Sequence, residues 1–242
     1  MEIHKPKAWH GWREFAKEVG IIVLGILIAL GLEQAVAWAH DRAVAREARE
    51  SLRLEIAGNL RSIALRTAIE PCIQRRLREV DAYLDAVETS GAPKPPTWIG
   101  APYSFLTSHT RFQAAQSAGR FVLLSPAEQE EAARIYADLD DFNEANVREW
   151  YAWSQLRSLA TLHGKPEGAD IARLRGALQE ARAADWFARL DDAEISDHAA
   201  KIGLKIPAVA AHRYQAASVC LAIDTPYAQG AAKAGGRVPF PE

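Results

Sequence analysis

The stretch Val19-Gly-Ile-Ile-Val-Leu-Gly-Ile-Leu-Ile-Ala-Leu-Gly-Leu32 constrains this chain more than any other. Its fourteen residues carry no charge and no hydrogen-bonding side chain, and a weaker apolar run, Ala35-Val-Ala-Trp-Ala39, follows the Glu33-Gln34 pair. A bilayer-spanning helix needs about 20 mostly apolar residues, whereas a run of about 10–14 suits a core helix or the centre of a signal peptide. Full length is reached only over 19–39. Glu33 and Gln34 then fall in the outer third of the span, where a carboxylate costs less than at the midplane. Trp9, Trp12 and Phe15 on one side and Trp38 on the other stand where aromatic rings settle at membrane interfaces.

Three readings compete. The flanks favour a retained signal anchor. A cleaved signal peptide would use Lys5, Lys7, Arg13 and Lys17 as its basic region and Ala35-Val-Ala37 or Ala37-Trp-Ala39 as its cleavage site. Against cleavage, Glu14 and Glu18 interrupt the basic region, and the helical pattern passes Ala39 with no Pro or Gly. The third reading is a buried helix of a soluble protein. Four basic residues precede the span, and Arg42, Arg46, Arg49 and Arg53 follow it, so the Lys/Arg count is level. Arg13 and Lys17 nevertheless lie nearer the apolar edge. That predicts a single-pass protein with residues 1–18 cytoplasmic, the span at 19–39 and a helical extracytoplasmic domain over 40–228.

Of the 242 residues, those beyond the anchor suffice for one domain with a substantial core. Lys plus Arg number 29 and Asp plus Glu 31, a net charge of −2, and the arginines are spread along helical segments. A basic patch with interleaved aromatics is missing, which argues against nucleic acid as a partner. The expected partners are the lipid bilayer, a second copy or an envelope protein. Cys72 and Cys220 lie far apart; in an exported domain such a pair is usually a disulfide, in a cytosolic one two unrelated thiols.

After the span, Ala45, Ala48, Leu52, Ile56, Leu60 and Ile63 recur at three- and four-residue spacing, predicting that the membrane helix continues as a stalk. Pro71 predicts a kink or short break, with a second helix to about Glu88. Thr89-Ser-Gly-Ala-Pro-Lys-Pro-Pro96 ends it, and 89–102 reads as an extended connector. A short helix is expected over Tyr103 to Ala118, with Gly119 as its C-terminal cap. Ser125-Pro126-Ala127-Glu128 is a capping box with proline at the first helical position, starting a helix to about Leu162. Another starts at Asp170, and it or a successor reaches Lys201 before Gly203. Residues Val209 to Ala222 suit a last helix carrying Cys220 inward, and 229–242 a flexible tail. With no sustained period-two alternation, the fold class is all-α: a transmembrane helix, a stalk and a helical bundle.

Lys17-Glu-Val-Gly-Ile-Ile-Val-Leu-Gly-Ile-Leu-Ile-Ala-Leu-Gly-Leu-Glu-Gln34, leading into an Arg/Glu-rich helix with Leu52, Glu55 and Asn59, resembles a group of uncharacterised bacterial proteins with one N-terminal membrane helix. Gln116-Ser-Ala-Gly-Arg-Phe-Val-Leu-Leu-Ser-Pro-Ala-Glu128, followed by Ile135-Tyr136, is similar to their second recurring segment. Together these cover about a third of the chain. The resemblance implies an anchored helical protein and carries no activity and no catalytic residue.

Chemistry-bearing constellations are sparse. Gly25 and Ala29 have small-xxx-small spacing, and Glu33 continues that face, which would suit helix self-association. Asp138, Asp141 and Glu144 form an acidic stripe, with Asp140 beside it, that would suit a divalent cation. Arg134 and Arg148, four residues from Asp138 and Glu144, favour salt bridges on a solvated face instead. Glu194 and His198 lack the paired Glu-x-x-His arrangement of di-iron bundles. Trp150, Tyr151 and Trp153 suit either an apolar pocket or a core. No zinc, P-loop, nucleophile-elbow or dinucleotide motif is present, and no cofactor is implied. The leading expectation is a non-enzymatic interaction or sensory module. The alternative is a ligand-binding domain or enzyme with a site between 103–118 and the helix after Ser125, where Gln113, Gln116 and Ser117 supply polar groups.

Overall fold

The computed structural model describes residues 11–91, 93–103, 106–162, 164–209, 218–226, 228–230 and 232, and among these it is all-α. Helix α1 spans Trp12–Thr89, α2 Thr110–Ser117, α3 Pro126–Arg157 and α4 Gly168–Lys201. Three short 3-10 turns, Phe121–Leu123, Ser158–Thr161 and Ser218–Cys220, are also described, and residues 228–230 and 232 are helical.

The 78 residues of α1 form one helix, roughly 120 Å long at 1.5 Å per residue. Every large apolar side chain from Val19 to Trp38 is at least 40 % exposed, so this segment packs on nothing among the described residues. It is long and apolar enough to cross a membrane. From Ala45 onward the apolar row predicted at three- and four-residue spacing is buried. The extension is therefore no free-standing stalk: it becomes the central helix of the domain within six residues of Ala39.

Of the kink or short break predicted at Pro71, the break does not occur: the helix runs on through it. Proline removes the N–H that would bond the Thr67 carbonyl, a loss of about 3 kcal/mol in a helix interior. Ile69, Ile73, Leu77 and Val80 on both sides of it are fully buried, each contributing about 1.5–3 kcal/mol, and this burial carries the helix through.

α3 and α4 form an antiparallel pair, with Glu131 opposite His198 and Arg148 over the Phe187 ring, and α1 packs across both. The core has two halves. Nearer the span, Leu52, Ile56, Leu60 and Ile63 meet Tyr136, Leu139, Phe142 and Ile195. At the far end, Ile73, Leu77 and Leu84 meet Trp153, Leu156, Leu174 and Leu178.

Helix α2 is shorter than the expected 103–118. Residues 106–109 are irregular because side chains of other helices take their backbone groups. Asn59 donates to the Ser108 carbonyl at 2.9 Å and accepts from its N–H at 2.8 Å, and Asn143 accepts from Thr107 N–H at 3.0 Å. At the other end, Gly119 has φ +65°, and the Gly119 and Arg120 N–H groups return to the Gln116 and Ala115 carbonyls. α3 begins with the predicted capping box, Ser125 and Glu128 bonding reciprocally.

The C-terminal segment folds back on α1. Cys72 and Cys220 form a disulfide across a sequence separation of 148. Ser218 Oγ accepts from Ala101 N–H at 2.9 Å and donates to the Ala101 carbonyl at 2.8 Å. Gly100, at φ +68°, admits this approach: a Cβ there would sit 2.3 Å from the Ser218 carbonyl oxygen. Most of the last helix expected over Val209 to Ala222 lies outside the described residues, and 218–220 form a 3-10 turn. Gly230, at the start of the expected tail, is buried, and a Cβ there would lie 2.3 Å from the Trp98 ring. Beyond 232 the tail lies outside the described residues.

Candidate functional site

Three buried polar nodes lie along α1. Nearest the span is Glu55, 7 % exposed. Its carboxylate accepts from Arg111 N–H at 2.9 Å, Phe112 N–H at 3.1 Å, Ser108 Oγ at 3.0 Å and Tyr136 Oη at 2.7 Å. Burial opposes its ionisation, but these four donors outweigh burial and hold the carboxyl below its ordinary value. The same environment raises the Tyr136 phenol, through burial first and then its bond to Glu55. Glu55 thereby caps the start of α2 from another helix, supplying the acceptor that His109 does not.

One turn and more toward the span, Arg49 makes a two-pronged ion pair with Glu128, and Arg53 donates to the Ile202 carbonyl at the end of α4. The Arg49 bond, with help from Ser125, holds the Glu128 carboxyl down at about 2. Arg120 approaches Glu47 at 3.6 Å. These contacts fix the turn between α2 and α3 beside the first residues of α1 that enter the domain. Phe112 stacks on Tyr136 at 4.1 Å between ring centres and meets Phe121 edge-on at 5.3 Å. Leu52 and Glu55 of α1 thus meet Leu124, Ile135 and Tyr136 in space.

The middle node is Arg66, 3 % exposed, which donates to Glu70 at 2.7 Å, Glu149 at 2.9 Å and Asp185 at 2.6 Å. Burial alone would lower its pKa; Glu149, Glu70 and Asp185 outweigh that and raise it, so the guanidinium stays charged. Burial pushes the Glu149 and Glu70 carboxyls up. A cavity of about 240 Å³ opens beside this node, lined by Arg66, Glu70, Phe142, Arg189 and Asp192 among others. The far node is Arg76, fully buried, whose guanidinium pairs with Glu79 at 2.7 Å and donates to the carbonyls of Trp98, Ile99 and Leu221. It ties the connector and the C-terminal segment to α1. Burial lowers its pKa. A second, more open cavity of about 360 Å³ lies over Tyr83, Pro95, Pro96 and Ile223, close to this strap.

The acidic stripe is split by the fold. Asp140 is 3.2 Å from His109 Nδ1, and Glu144 is 4.0 Å from Arg148. Arg134 pairs with Glu130 at 2.6 Å and makes no bond to Asp138. Asp138 and Asp141 turn toward Asp191 and Glu194 of α4, and repulsion among them adds to burial in pushing the Asp191 carboxyl up to about 6. Among the described residues no group of three or more His, Cys, Asp or Glu is arranged to hold a metal ion. His198 is engaged by Glu131 at 2.6 Å. The aromatic trio separates too: Trp153 is core, while Trp150 and Tyr151 face outward.

Gln113, Gln116 and Ser117 are exposed on the outer side of α2 and line neither cavity. Gly25, Ala29 and Glu33 lie on the exposed apolar segment of α1, and nothing lies within 4 Å of a Cβ built on Gly25. Sequence reasoning missed the three buried nodes as sites. Glu55 and Asn59 nevertheless stood on the apolar face of α1, next to Leu52, Ile56 and Leu60, a placement that marks buried polar groups. Comparison with protein families, with curated proteins and with solved structures finds no match for this chain.

Proposed function

We propose that this chain is a single-pass protein of the bacterial inner membrane, N-terminus in the cytoplasm and domain in the periplasm, acting as a non-enzymatic interaction or sensory module. The observation that carries the reading is the continuity of α1. One uninterrupted helix presents a bare apolar face over 19–39 and the core face of a folded domain from Ala45. A movement of the span would be transmitted to the bundle without a hinge. The Cys72–Cys220 disulfide supports an oxidising compartment for the domain. Arg42 over the Trp38 ring at 4.2 Å is an arrangement suited to the outer membrane interface. The buried polar groups of α1 are taken up by side chains of α3 and α4, by neighbouring carboxylates and by loop backbone, which suits structural roles better than catalysis. Gly25, Ala29 and Glu33 are the face through which two copies would associate, and the resemblance of 17–34 and 116–128 to a group of anchored bacterial proteins agrees with this reading.

Membrane fractionation with alkaline extraction, followed by impermeant thiol labelling of intact spheroplasts with and without reductant, tests the reading. The protein should resist extraction, and Cys72 and Cys220 should label from outside only after reduction. Extraction as a soluble protein, or labelling only after detergent and without need of reductant, refutes it.

A further inference from the structure

We infer that the turn between α2 and α3, residues 118–125, is a second membrane contact that rests on the lipid surface beside the span. The inference depends on the reading of 19–39 as a bilayer span and follows from the height at which α1 holds this turn.

The turn points toward the span. α2 starts at Glu55, through Arg111 and Phe112, and descends along α1 until Arg120 reaches Glu47. α3 then rises, with Glu128 at Arg49 and Tyr136 back at Glu55. The turn is therefore the lowest part of this hairpin, at or below the level of Glu47. Glu47 lies eight residues past Ala39, about 12 Å along a continuous helix. The headgroup layer fills roughly 5–8 Å of that height, taking the difference between hydrocarbon and total bilayer thickness on one side. The gap that remains is about one side chain.

The side chains at the tip suit that position. Val122 is 69 % exposed and Leu123 36 %, while Phe121 and Leu124 turn inward as the base. Arg120 beside them is about half exposed despite its contact with Glu47 and can reach anionic headgroups. The tip is rigid: Phe121 packs edge-on to Phe112, the Glu55 node fixes α2, and the capping box and the Arg49–Glu128 pair fix α3. Paired with α1, it gives the domain two points of contact with the bilayer and so a fixed rotation about the span. A lipid surface is the occupant because the helix that carries the patch's neighbours is the one that enters the bilayer.

The full chain, with its disulfide intact, is reconstituted in nanodiscs of phosphatidylethanolamine and phosphatidylglycerol. A polarity-sensitive fluorophore is placed on Val122→Cys, on Leu27→Cys in the span, or on Thr89→Cys, about 75 Å farther along α1 than Ala39. Quenching by lipids spin-labelled at the headgroup or shallow acyl position is then read. At Val122 it should be at least twice that at Thr89, with a blue-shifted emission. Quenching at Leu27 with Val122 no different from Thr89 overturns the inference and leaves the span standing. No quenching at Leu27 overturns the span and the inference with it. Shielding of Val122 that follows the number of copies per disc, and not the spin-labelled lipid, assigns the patch to a second copy and also overturns it.

Discussion

Asp191 offers the sharpest test of the electrostatics inside the bundle. It is 8 % exposed and makes no hydrogen bond or ion pair among the described residues. Asp138 and Asp141 on α3 and Glu194 on its own helix face it, with the Arg148 cation acting in the opposite direction. Burial first, then these three carboxylates, raise its carboxyl to about 6 from an ordinary 3.8. The folded state thus binds this proton more tightly than the unfolded chain, so stability falls as pH rises from about 4 to about 6, and the full cost is present above about 6. At about 1.4 kcal/mol per unit the shift corresponds to no more than about 3 kcal/mol, and solvent screening of the neighbouring surface carboxylates leaves about 1–2 kcal/mol. Asp191→Asn removes the charge with little change in shape. The variant should melt about 2–8 °C above the parent at pH 7.5, with the gain vanishing by pH 4, in thermal melts followed by circular dichroism in detergent. A lower or unchanged melting temperature at pH 7.5, or a gain that persists unchanged at pH 4, refutes the reasoning.

Glu55→Gln should cost about 2–4 kcal/mol, because the carboxylate's donors at Arg111, Phe112, Ser108 and Tyr136 lose a charged acceptor. Its lowered pKa has the opposite sign to that of Asp191: the parent's Glu55 contribution is present above about 4.5 and lost as pH falls through the folded value, visible as faster amide exchange at Arg111 and Phe112 in acid. Arg66→Met should destabilise by about 3–5 kcal/mol at pH 7 by leaving Glu149 and Asp185 buried without their cation, and chemical denaturation should show partial recovery as pH falls, because burial raises the Glu149 carboxyl. Reducing Cys72–Cys220, or replacing both with Ser, should cost about 2–4 kcal/mol and raise exchange at Thr97 and Trp98, whose N–H groups bond the Ile223 carbonyl.

Much of the helical layout was legible because it rests on local rules. The Ser125-Pro126-Ala127-Glu128 box starts α3 as expected, since cap, proline and glutamate satisfy the helix end by themselves. The row from Ala45 to Ile63 is buried as its spacing predicts. Two expectations failed where a local rule met a stronger tertiary one. Pro71 does not divide α1, because the apolar residues on both sides of it are packed against α3 and α4. Residues 106–109 are not helical, because Asn59 and Asn143 replace the intrahelical bonds of Ser108 and Thr107. The polar trio Gln113, Gln116 and Ser117 illustrates a third difficulty. Its members share a short helix, but spacing alone does not say whether a partner surface lies opposite.

The sequence by itself determined that this is an all-α chain, with an apolar segment long enough to span a bilayer and helices bounded by caps, glycines and prolines. These follow from hydrophobic period and backbone chemistry, which act within a few residues. Tertiary packing alone makes the helix that carries this apolar segment the central helix of the domain as well. It alone put Glu55, Arg66 and Arg76 at buried nodes, and it alone faced the Asp138–Asp141 stripe with Asp191. Each of those depends on which helices meet and at what register, and the energies that choose a register come from side chains separated by tens of residues or more along the chain.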